Sequence, residues 1–227
     1  MHTAQFLNLL VHIGFGGIGL VLGLIPLLST KGGLQHRRWG RRFALLAAFV
    51  IGSGGMTLVL GHHSSLSAVQ ALVLVMFYEF VSGLRALKLR SHGPLWPDAL
   101  FAISALAACV LVLANTEMSA RAAIVTLPSL GMLAFVASYD LSRHWWPVFW
   151  LRAARPLDPG LKMTAVFFGM LSAGAGNLLV SLQPWSIVIP NIMGTLAIFT
   201  LTIAYVVQFR RRAKGQDILA DSGPVSA

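Results

Sequence analysis

Residues able to do chemistry are scarce in this chain: 227 residues hold seven Asp and Glu together, seven histidines and one cysteine. No HExxH, GxSxG, Walker loop, GxGxxG after a strand or paired-carboxylate spacing occurs, so hydrolase and nucleotide-binding readings have no support and no catalytic motif is recognised. Cys109 lies in an apolar run, which leaves no disulfide framework and no thiol cluster for a metal. What remains are ionisable groups set in apolar sequence, His12, Glu79 and Arg85, with Tyr78 beside Glu79. In lipid each costs roughly 3 kcal/mol or more at mid-helix, which makes them the default functional suspects. Arg85 lies one and two-thirds turns beyond Glu79, so the two share no helix face, and Glu79 needs another partner or a proton of its own.

Two further groups stand out. His12, His62 and His63 fall toward one end of the first two apolar stretches, near Asn177 and Asn191 of the last two. A His12 pair with His62 or His63 would suit the axial positions of a haem b, giving an electron carrier or membrane reductase as one alternative. At the other end, Lys31-Gly32-Gly33-Leu34-Gln35-His36-Arg37-Arg38-Trp39-Gly40-Arg41-Arg42 reads as a short basic turn. Its cations can meet phosphate headgroups or cap helix carboxyl ends, and His36 can titrate near neutral pH. Tyr78, Glu79, Asp98, Asp140 and His144 fall toward that same end. The leading reading is a protein that binds a small ligand, lipid or proton between its helices through His12, Lys31, His36, Arg37, Tyr78, Glu79 and Arg85. A structural or assembly subunit, whose polar residues only tie helices together, is a further alternative.

The elements that must position these residues are membrane helices. The chain is 56% hydrophobic and 11% charged, with mean hydropathy +0.76, where a soluble domain has about 25% charged residues. Seven nearly uncharged stretches are long enough to cross a bilayer: 5–29, 43–62, 67–87, 97–115, 122–139, 161–183 and 185–209. The fifth is interrupted by Pro128, Ser129 and Gly131, and a proline is tolerated where neighbours satisfy the freed carbonyl. The first has nothing basic before it and no small-residue cleavage site before Lys31, so it reads as a retained span and not a secretory leader.

Charge sets the orientation. With seven crossings, sixteen of the 17 Lys and Arg fall on one side and only Arg121 on the other, which places the amino end outside and the tail in the cytoplasm. The net charge of +10 then reads as a topology signal and a contact with anionic lipid heads, not as a nucleic-acid surface. Trp39, Trp96, Trp145, Trp146 and Trp150 map to the inner interface and Trp185 to the outer one. Gly19 and Gly23, Gly52, Gly54 and Gly55, and Gly174 and Gly176 mark expected helix contacts. The fold class expected is all-α: one seven-helix domain over 1–209, multi-pass in a bacterial inner membrane, followed by a polar tail over 210–227.

Two stretches together resemble a known family. A histidine in the first helix followed by a Gly-rich run and then the Lys31–Arg41 segment is similar to the KG…HRxxG signature of the predicted bacterial membrane proteins catalogued as domain of unknown function 2306. Tyr78, Ser82, Gly83, Arg85, Ala86 and Leu87 resemble that family's YxxxSGxRAL element, and Asp98 its following aspartate. The likeness covers about residues 8–100. Farther on, Leu161-Lys162-Met163 keeps the family's methionine without its histidine. The resemblance implies a multi-spanning inner-membrane protein and no particular mechanism.

Overall fold

The structure, a computed structural model, describes residues 3–60, 67–88, 93–115 and 120–221. Its described residues form helices and no strand: α1 (Thr3–Leu28), α2 (Leu34–Leu60), α3 (Ser67–Lys88), α4 (Trp96–Asn115), α5 (Ala120–Ser142), the short α6 (Val148–Ala154), α7 (Asp158–Leu178) and α8 (Trp185–Asp221). Uninterrupted helix is what a lipid environment demands of such sequence, because every backbone N–H and C=O must then be satisfied within the segment. Five of them hold stretches long and apolar enough to cross a membrane: Phe6–Leu28, Gln70–Lys88, Trp96–Asn115, Ala123–Trp145 and Trp185–Arg210. Helix α5 runs unbroken through Pro128.

The other two long helices, α2 and α7, coincide with the expected spans 43–62 and 161–183 but are less uniformly apolar. Helix α2 opens with six basic or amide side chains and α7 carries Lys162, Thr164, Ser172 and Asn177. Burial explains α7. It packs against α1, α3 and α8, while α3 packs against α2, α4, α5 and α7, so these two central helices see protein more than lipid. Half of α3's apolar stretch is buried (50%), against 11% for α8. Outward faces carry large exposed apolar residues such as Val21, Val110, Phe135, Leu196 and Phe199, a surface that water would not solvate.

Small residues let the helices close up. Ala47, Ala71, Ala102 and Ala137 are fully buried among Phe43, Leu133, Val166 and Phe167. A Cβ on Gly23 would stand 2.7 Å from the Phe167 ring and 2.8 Å from that of Phe43, and one on Gly194 would stand 2.7 Å from Phe168. Gly19, Gly54 and Gly176 likewise meet neighbouring helices, whereas Gly52 and Gly55 face open space, so the glycine cluster of α2 is only partly a contact.

The connection between α1 and α2 is shorter than its sequence suggests. Gly32 adopts φ +81°, a conformation that suits glycine, and α2 is already helical at Leu34. The residues from Leu34 to Arg42 therefore form the opening turns of a helix and not a loop. Leu, Gln and Arg are good helix formers, and nothing after Gly33 except Gly40 opposes the helix.

Candidate functional site: a buried charge cluster

Where α3 and α5 end and α4 and α7 begin, the bundle buries a set of charges. Helix α5 brings Asp140 in its last turn, and the 3-10 turn that follows brings Arg143. Helix α7 starts with Asp158, favoured near the positive end of the helix dipole, with Lys162 one turn later on the same face. Lys162 Nζ donates to both carboxylate oxygens of Asp140, at 2.6 and 2.8 Å, and lies 3.5 Å from Asp158. Arg143 Nη1 donates to Asp158 at 2.6 Å and reaches Asp140 at 3.4 Å. Tyr78, from α3, donates its hydroxyl to Asp140 at 2.9 Å while its ring stacks on Phe101 at 4.9 Å between centroids. The Tyr139 ring lies against both cations, 5.8 Å from the Arg143 guanidinium and 5.9 Å from the Lys162 ammonium.

These groups are out of water. Arg143 is 6% exposed, Lys162 5% and Asp158 3%. Two carboxylates and two cations compensate one another, and Arg143 Nε is left without a hydrogen-bond partner. A second pair, Arg85 with Asp98, forms beside them and is more open, with Arg85 40% exposed. Asp98 also accepts from the Leu95 N–H at 2.8 Å and so caps the start of α4. Between the two sets lies a cavity of about 20 Å³, lined among others by Tyr78, Ser82, Arg85, Asp98, Asp140 and Lys162. That is room for one or two waters and not for an organic ligand.

Glu79 completes the cluster. On α3 it lies between Met76 and Gly83, and both of these meet α7: Met76 packs on Gly169, and a Cβ on Gly83 would stand 3.1 Å from Lys162 Cβ. Glu79 therefore sits at the α3–α7 interface, 3% exposed, near Lys162 and not near the α1–α2 connection. Among the described residues its carboxyl group forms no hydrogen bond or ion pair. Four of the chain's seven acidic residues are gathered here, Glu79, Asp98, Asp140 and Asp158. They face three cations, Arg85, Arg143 and Lys162.

Of the residues singled out in the sequence, Tyr78, Glu79 and Arg85 come together in this cluster, as do Asp98 and Asp140. Lys31 and His36 belong elsewhere: Lys31 Nζ donates to the carbonyls of Pro26 (3.1 Å) and Leu27 (2.8 Å), and His36 Nδ1 lies 3.0 Å from the Pro26 carbonyl. Both cap the end of α1, where helix carbonyls lack N–H partners. Arg37 is exposed on α2. His12 Nδ1 pairs with Ser53 Oγ at 2.8 Å, and Asn8 donates to the Ser53 carbonyl and to Thr57 Oγ1, which ties α1 to α2. Asn191 instead bonds Ser172, and Asn177 its own helix at Ala173, so these amides make separate ties and not one pocket with His12. His62 and His63, the haem partners considered for His12, lie outside the described residues. Among the described residues no group of three or more His, Cys, Asp or Glu is arranged to hold a metal ion.

Arg143, Asp158 and Lys162 are site members that the sequence alone does not single out, because cations such as Arg143 and Lys162 near helix ends have an ordinary role in topology. The available signal was the spacing of opposite charges, Asp140 with Arg143 at three residues and Asp158 with Lys162 at four, in a chain with so few acids. No family model, curated protein or solved structure matches the chain.

Proposed function

We propose that this is a multi-pass inner-membrane protein of seven spans, amino end outside, that binds and exchanges a proton at the buried charge cluster, with Glu79 as the group that carries it. The observation behind this reading is the charge count: four carboxyl groups against three cations, in a site where an unpaired charge is costly. Pairing Asp140 and Asp158 with Lys162 and Arg143, and Asp98 with Arg85, leaves Glu79 over. Lys162 lies between Asp140 and the α3 face that bears Glu79, so the cation can compensate either carboxylate as the proton moves. The small cavity behind the half-open Arg85–Asp98 pair has room for water beside Tyr78, Asp140 and Lys162, which supports proton exchange there.

Infrared difference spectroscopy of the purified protein tests the assignment. The C=O stretch of a protonated carboxyl group, shifting on deuterium exchange, is expected in the wild type and absent from Glu79→Gln. A spectrum with no such band, or one unchanged in Glu79→Gln, contradicts it. The closed geometry of the Asp140–Lys162 and Arg143–Asp158 pairs favours one other reading, a structural tie among α3, α5 and α7, which would be left standing by that second outcome.

A further inference from the structure

Outside the cluster the chain has fourteen Lys and Arg against three acidic residues, and four of them stand together on one helix surface. Arg37, Arg38, Arg41 and Arg42 are all exposed on the opening turns of α2. At 3.6 residues per turn they occupy an arc of about 140°, as two pairs one turn apart, Arg37 with Arg41 and Arg38 with Arg42. Among the described residues none of the four has a carboxylate partner. Their internal contacts are an Arg41 Nε bond to the Arg37 carbonyl at 3.4 Å and the Arg42 guanidinium 4.4 Å over the Trp39 ring. Like charges crowded on one face repel unless an external anion neutralises them.

The surroundings indicate where that anion comes from. Leu28 and Leu34, on either side of the α1–α2 turn, are 81% and 80% exposed. Trp39 lies among the arginines. Exposed aliphatic residues, an indole and guanidinium groups within three turns of one another match the boundary between acyl chains and phosphates. Guanidinium groups take phosphate oxygens two at a time, which an ammonium does not. We propose that the opening turns of α2 form a binding surface for acidic phospholipid, each arginine pair holding one lipid phosphate.

The full chain in nanodiscs of phosphatidylcholine, with and without phosphatidylglycerol, is the test, read as thermal midpoint and as lipid retained in native mass spectrometry. Phosphatidylglycerol is expected to raise the wild-type midpoint. The quadruple variant Arg37→Gln, Arg38→Gln, Arg41→Gln, Arg42→Gln is expected to lose most of that rise and most of the retained lipid, while Arg152→Gln, Arg155→Gln keeps both. An equal rise in the quadruple variant overturns the proposal, as does an equal rise given by inorganic phosphate in phosphatidylcholine discs, which would make the site one for soluble anions. Should the glutamine variant fail to insert, the corresponding four-lysine variant preserves the charge. It is expected to fall short of the wild-type rise, and a full rise contradicts phosphate pairing by guanidinium groups.

Discussion

Lys162 is the residue on which the cluster turns, because it donates to both oxygens of Asp140 and stands over the α3 face that carries Glu79. Lys162→Met is expected to destabilise the protein by about 3–5 kcal/mol, since it leaves Asp140 and Asp158 to share Arg143 as their one cation in the interior. Adding Asp140→Asn should recover a large part of that loss, because Arg143 and Asp158 then remain as a balanced pair. Denaturation of the three variants in detergent checks both; a single variant as stable as the wild type, or a double variant no better than the single, contradicts the pairing. At this scale Glu79 was legible in the sequence, because a carboxyl in an apolar run is conspicuous. Lys162 and Arg143 were not, since cations near helix ends have an ordinary explanation in topology. Lys31 and His36 looked like ligand-binding groups for the converse reason: sequence shows their chemistry but not the α1 carbonyls that already occupy them.

Helices pack here through particular small residues, and the glycines separate into two kinds that the sequence cannot distinguish. Gly23 lies between the rings of Phe43 and Phe167, whereas Gly52 has nothing near. Gly23→Ala is therefore expected to cost about 1–3 kcal/mol by prying α1 from α7. Gly52→Ala should be neutral or gain up to ~1 kcal/mol through helix propensity. Thermal midpoints in one detergent decide it, and equal effects at the two sites would contradict the packing. All seven long helices were legible from apolar run length. The helical opening of α2 was not, because polar helix gives no hydropathy signal, and neither was the seven-residue α6, which is too short to register as a span.

The seven crossings proposed above would place the amino and carboxyl ends of the chain in different compartments. With Cys109 buried and the chain's single cysteine, a Cys109→Ser background allows one probe at a time. Cysteine at Gln35 should react with an impermeant maleimide only in inside-out vesicles, and cysteine at Ser181 only from outside intact spheroplasts. Labelling of both from one side would contradict the odd number of spans. Sequence made the apolar, membrane-compatible helices legible because lipid imposes a coarse rule on whole segments, while the cluster depends on which turns of α3, α5 and α7 meet. The charge count within that cluster is tested most directly by proton stoichiometry, from titration of weakly buffered wild-type and Glu79→Gln protein across the pH range in which both stay folded. The wild type should release one more proton per chain than Glu79→Gln, and coincident titration curves would show that Glu79 carries no exchangeable proton.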